Sequence, residues 1–266
     1  MRLKRIISII VALSVLIFSL FSCAKTPEGL IEKADKKLAR NDYTVEVEVE
    51  YIADNQGIAG LFDQLDSGET AIMYDGDNVK IEQRSSINYG EGNTDFYGNY
   101  VIIDGTVYSN SGYTSALGNS FNKVKADISD EEKISLIEKA GVIIGIGIED
   151  FATVNLEKRD GEYQILCSEA KTDLNIRLEN ILILQMQGEV ESVEVNNARM
   201  IIEIDDGKYD TVRLLCDYNV KLSSQTYSVN AEFELEYDYD DHIRITMPGD
   251  AYEYNDTEFE NILNTL

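Results

Sequence analysis

The sequence predicts an α+β fold built on an antiparallel β-sheet. Three observations carry that expectation: long stretches alternate apolar and polar residues with period two, tight-turn sequences separate them, and helical segments fall between runs of strands. Many of the alternating stretches have one polar side, so the sheet should cover a core with one face and meet water with the other.

The chain opens with Arg2, Lys4 and Arg5, runs through an apolar stretch at 6–21 broken only by serines, and reaches Ser22-Cys23. Charged, apolar and small-residue regions in that order make an export signal. The apolar run is slightly shorter than the roughly 20 residues of a membrane-spanning helix, and a polar chain follows it. Leu20-Phe21-Ser22-Cys23 resembles the lipobox of bacterial lipoproteins, although Phe21 is larger than the residue usual at its position. The resemblance implies cleavage before Cys23 and acylation of its thiol. The expected organisation is a lipoprotein signal peptide at 1–22, a lipidated N-terminus and short tether at 23–29, and a single domain at 30–266. Two or more acyl chains hold a protein at a bilayer where one binds marginally, so the expected location is the extracytoplasmic face of the cell membrane.

Thr26-Pro27-Glu28 marks a helix start: a threonine N-cap, proline at the first position and an acid in the first turn. Leu30, Ile31, Ala34 and Leu38 share one face of that helix. From 43 to 52, Tyr43, Val45, Val47, Val49 and Tyr51 point one way and Thr44, Glu46, Glu48 and Glu50 the other, the pattern of a half-buried strand. Strands are expected at 70–74, 78–83, 95–97, 100–104 and 106–109, with turns at Asp75-Gly76 and Asp104-Gly105. Residues 110–127 show no clear period. Ser129 and Glu132 have capping-box spacing, which starts a second helix with Ile134, Ile137 and Ala140 on its apolar face. The glycines at 141, 145 and 147 mark a buried turn or lid. Strands follow at 151–158 and 162–168, a helix at 172–187 with Leu174, Leu178, Ile181 and Leu182 on one side, and a four-stranded meander at 190–204, 209–222, 226–239 and 242–247.

Composition excludes more than it assigns. The formal net charge of −26 becomes −29 when Arg2, Lys4 and Arg5 leave with the signal, so nucleic acid and anionic headgroups are repelled. The single histidine, His242, lies in a turn, and no serine occupies a nucleophile elbow, so catalytic residues are not expected and the protein reads as no enzyme. A zinc site lacks closely spaced cysteines. Asp238-Tyr239-Asp240 lacks the glycine and closing glutamate of a calcium loop, and neither metal nor cofactor is expected. The sixteen tyrosines mostly fall at strand positions, where packing explains them more simply than a carbohydrate platform. Cys167 and Cys216 both lie in apolar registers, either as a disulfide or as buried thiols.

The lipidated N-terminus with its immediate helix, the segment Phe96-Tyr97-Gly98-Asn99-Tyr100-Val101-Ile102-Ile103-Asp104-Gly105-Thr106-Val107-Tyr108 and the ending Ile243-Arg244-Ile245-Thr246-Met247-Pro248 together resemble the lipoprotein-carrier (LolA/LppX-like) superfamily, in its Gram-positive form. The likeness is one of pattern and spans nearly all of the mature chain. It implies a strongly curved antiparallel half-barrel whose concave face is covered by helices and takes up acyl chains. Tyr43, Val45, Val47, Val49, Tyr51, Val212, Leu214, Cys216, Tyr218 and Val220 would line that groove. Moving a chain of about 15 methylenes from water is worth about 12 kcal/mol, so a competing groove must be nearly as apolar as the bilayer. The same residues form a filled core if the helices pack directly on the sheet. Two functions follow: a lipoprotein holding a lipid or other hydrophobic ligand, or an envelope scaffold that meets a protein partner.

Overall fold

A computed structural model describes residues 25–53, 68–88, 93–140, 146–159, 161–185, 190–222, 225–239 and 242–264. Cys23 and most of the 141–147 glycine segment lie outside the described residues.

Helix α1 (Pro27–Leu38) begins as its sequence dictates: Thr26 is extended and its hydroxyl accepts from the Gly29 amide at 3.2 Å. Pro27 to Gly29, assigned above to the tether, are thus already helical. Twelve strands follow, interrupted by helices: β1 (Tyr43–Ala53), β2 (Gly68–Asp75), β3 (Asn78–Asn88), β4 (Asn93–Ile103), β5 (Thr106–Ser115), β6 (Gly118–Asp127), α2 (Asp130–Lys139), β7 (Phe151–Arg159), β8 (Glu162–Ala170), α3 (Thr172–Gln185), β9 (Ser192–Asp205), β10 (Lys208–Leu222), β11 (Gln225–Asp238), β12 (Asn255–Asp256) and α4 (Phe259–Leu263). They form one curved, unclosed sheet in the order β12-β6-β5-β4-β3-β2-β1-β11-β10-β9-β8-β7. Among the described residues only β12 runs parallel to its neighbour, β6. The chain fans outward from β1 to β6, resumes at the opposite edge with β7, and returns until β11 pairs with β1.

Period-two alternation places the residues of β1 as expected, with Val45 and Val47 buried and the glutamates on the other face. The Ser129 capping box forms, and α2 buries Leu136 and Ile137, whereas Ile134, expected on the apolar face, is 42% exposed. Leu174, Leu178, Ile181 and Leu182 are all buried on α3.

Three expectations are corrected. Residues 95–97 and 100–104 belong to one strand, β4, because Gly98 and Asn99 continue the ladder with β3 and β5. The stretch 110–127 is the end of β5 and all of β6. Residues 242–247 form no strand, so the closing meander has three strands.

This last segment crosses the outer face of β2–β5 as a strap: Ile245 and Tyr254 are buried with Val101 and Tyr108, and Ile243 packs beside them. The Ile245 amide donates to Asp75 Oδ2 at 2.9 Å. The strap rounds the sheet edge through β12, and Phe259 and Ile262 of α4 then enter the core on the inner face.

The inner face carries two apolar clusters. One gathers α1, α3 and β7–β11 around Leu178, Ile165, Ala198 and Tyr218. The other gathers β1–β6, α2 and α4 around Ile72, Ile81, Tyr100 and Leu136. Val49 and Val212 pack against both.

Candidate functional site

The ten positions suggested for a groove all face the inner side of the sheet, on strands separated by β11. They divide into two groups. Val220 is 0% exposed, Cys216 and Tyr218 1%, and Leu214 5%, and Val45 and Val47 are likewise buried. Tyr43, Val49, Tyr51 and Val212 remain partly exposed. A void wide enough for an acyl chain leaves accessible surface on its walls. Along β10 the walls have almost none, because α1 and α3 contribute Leu30, Ala34, Leu174 and Leu178 to the same cluster.

Tyr218 carries one unusual feature. Its hydroxyl is buried with no hydrogen-bond partner among the described residues, and burial raises its pKa, with Tyr51 adding to the shift. Near the start of β1, Tyr43 stacks on Tyr74 at 4.5 Å and tilts against Tyr237 and Tyr239. Tyr209 extends the group and donates to Asp35 of α1 at 2.6 Å, tying the helix to β10. Burial, then the neighbouring Tyr239, pushes Tyr43 up to about 12. These phenols stay neutral and act by packing.

Cys167 pairs with Met200 and Cys216 with Ala198, so the thiols stand on β8 and β10 with β9 between them. Two strand spacings are about 9–10 Å, beyond the roughly 7 Å limit for Cα atoms of a disulfide. Both are buried free thiols. Burial raises Cys167 to about 11, and burial with the adjacent Asp217 raises Cys216 to about 12, so neither is a nucleophile at neutral pH.

The opposite face is polar. Where β1 leaves β2 after the Val47–Thr70 pair, an open groove of about 890 Å³ is lined by Glu46, Glu48, Glu50, Glu69 and Glu82 with Arg84, together with Val47, Val49, Thr70 and Ala71. Five carboxylates make it a poor host for an acyl chain, whose burial there would desolvate charge. Beside it, burial raises the pKa of Glu234, Arg213 partly offsets this, and Glu236, Glu232 and Glu48 raise it further. Arg213 donates to Glu203 at 2.8 Å, and Gln164 donates to the same oxygen. Among the described residues no group of three or more His, Cys, Asp or Glu side chains could hold a metal ion. His242 is exposed at the start of the strap.

With that geometry in view, the comparisons add little. No protein-family model and no curated protein matches the chain. Among solved structures, the N-terminal dehydratase from the difficidin assembly line aligns at 7% identity over 81% of this chain and 82% of its own, with a TM-score of 0.14. A superposition at that score bears on neither fold nor activity.

Sequence reasoning missed two surface features. Lys123 of β6 contacts Asp250 and, at 2.7 Å, Glu253, fastening the strap. Tyr97 and Phe121 lie exposed side by side on β4 and β6, across β5. The first is long-range and leaves no local trace. The second was hidden because β6 itself lacked a period.

Proposed function

We propose that this is an extracytoplasmic lipoprotein, held at the membrane through acylated Cys23, that acts by binding a partner and performs no catalysis on its own. In this reading the concave side is a filled core and the exterior of the sheet is the working surface. The near-zero exposure of Val220, Cys216 and Tyr218 beneath α1 and α3 is the observation that supports it most. The partner is an envelope protein or other extracytoplasmic component. Nucleic acid is disfavoured by the negative charge of the mature chain.

The anchor is tested by radioactive palmitate labelling of wild type and Cys23→Ala in the native host. Label should appear in the first alone, and label in the variant refutes the assignment. The interior is tested with a fluorescent fatty acid such as parinaric acid. The filled-core reading expects no saturable fluorescence gain.

A second reading has its own observation. The unpartnered Tyr218 hydroxyl is a donor that the carboxylate or ester of a hydrophobic ligand would satisfy, and the partly exposed Val49 and Val212 lie where the two clusters meet. On that reading the sheet and helices form the half-barrel groove of a lipid carrier. Saturable parinaric acid binding that Tyr218→Phe weakens would favour it.

A further inference from the structure

We propose that the outer face of β4–β6 beyond the strap is a binding platform for an uncharged polyhydroxyl ligand, a neutral glycan. From Gly105 to Asn122 the chain has eighteen consecutive residues without Asp, Glu, Lys or Arg. The roughly 25% of charged residues usual in globular chains would place four or five there. This stretch is β5 and the first half of β6, in a protein of net charge −26.

Strand pairing gathers the chemistry. Tyr97 opposes Gly112, and Gly112 opposes Phe121, so the two rings flank a position with no side chain. Their centroids are 6.4 Å apart at an interplanar angle of 34°, with Tyr97 38% and Phe121 51% exposed. A Cβ at Gly112 would lie 2.0 Å from the Ser120 carbonyl oxygen and 2.9 Å from the Phe121 ring, so this close arrangement requires glycine. One row nearer the strap, Asn99 opposes Asn110, and the Oδ1 atom of each is buried without a hydrogen-bond partner among the described residues. Arg84 borders Tyr97 on one side, and on the other Lys123 is occupied by Asp250 and Glu253.

Two exposed aromatic faces flanking a glycine, with the exposed Asn119 amide two residues from Phe121 on the same face of β6, match one kind of partner. Sugar rings offer C–H faces that stack on aromatic rings and hydroxyls that donate to carbonyl oxygens. Charge selects among partners: Arg84 and Asp95 border Tyr97 with opposite signs, an anionic polymer is repelled by the molecule as a whole, and a cationic one is drawn to the glutamates of β1 and β11. A neutral ligand suits this surface. The proposal is independent of what fills the concave side.

The test titrates the mature full-length chain, by NMR or calorimetry, with cellohexaose, chitohexaose, maltohexaose and mannohexaose, and with polygalacturonate as the anionic control. At least one neutral hexamer should bind, and Tyr97→Ala and Phe121→Ala should each weaken it about tenfold or more, with unchanged circular dichroism and unfolding midpoint. Tyr97→Phe, which keeps the stacking face, should bind nearly as wild type. No binding by any of the four up to about 10 mM would overturn the proposal. So would binding that survives both alanine changes, preference for polygalacturonate, or a concentration-dependent dimer that Phe121→Ala abolishes, which would make this face a self-association surface.

Discussion

In β9 and β10 nearly every second side chain enters one core and many of those between are charged or amide side chains in water, whereas in β4 and β5 both sets of side chains are covered over part of their length. Val101 and Tyr108 lie under the strap on the outer face, while Tyr100, Ile102 and Val107 lie in the inner core. The wing from β7 to β11 is therefore a two-layer structure, and the wing from β2 to β6 is locally three-layered. The third layer is the chain's own C-terminal segment, held by Lys123, by the Asp75 contact to Ile245 and by the burial of Phe259 and Ile262 beyond the edge. The first wing is covered on its inner face alone, by α3 from the same stretch of chain and by α1 from more than a hundred residues earlier, and the second is covered on both faces, the outer one by a segment more than a hundred residues later.

That contrast can be broken from either side. The largest effect is expected from Leu178→Ala, which removes a fully buried side chain from between α3 and the β7–β11 wing. A loss of about 2–5 kcal/mol is expected in urea unfolding, as for other core leucines. Gly112→Ala should come next, at about 1–3 kcal/mol, because the new methyl group meets the Ser120 carbonyl oxygen and must push β6 away from β5. Its amide signals should change in β5 and β6 and stay fixed in β9 and β10.

The strap gives the pH dependence. The hydrogen bonds that Lys123 donates to Asp250 and Glu253 raise its pKa, so that contribution is complete below the ordinary lysine range and fades as pH rises through the raised value. Its bond to Lys123 lowers the Asp250 pKa, so the aspartate contribution is complete above the ordinary carboxylate range and fades as pH falls through the lowered value. The contact thus holds across neutral pH and loosens once pH falls below the ordinary aspartate range. NMR signals of Ile243 and Ile245 should move toward their released positions on acidification, and Lys123→Met should shift them that way already at pH 7. Constant signals in both would mean that the apolar contacts alone hold the strap. The smallest effect belongs to Glu48→Gln on the acidic face, within about 0.5 kcal/mol in the same urea assay.

The same contrast explains what was legible in the sequence. β1 and β8–β11 could be read because a core face and a wet face differ in polarity at every step. Two bulges disturb the register without hiding it: on β9, inward positions pass from Val193 and Val195 to Ala198 and Met200, and the ladder with β10 shifts there. β6 was not legible, since Gly118-Asn119-Ser120-Phe121-Asn122 is neutral on both faces and offers no alternation. Residues 243–247 look like a strand for the opposite reason: Ile243 and Ile245 alternate with Arg244 and Thr246 because the segment lies on a sheet face, although it joins no ladder. For the candidate groove, the inward register of all ten residues was readable. Whether helices fill the space above them was not, because an apolar wall and a packed core are written with the same residues.

The central claim, a filled concave side beneath α1 and α3, is tested most directly by native mass spectrometry of the protein extracted gently from its own membrane. The account predicts the polypeptide mass from Cys23 onward plus the covalent acyl groups and nothing more. A further lipid-sized mass that leaves on mild collisional activation, and that is absent from Tyr218→Phe, would contradict it.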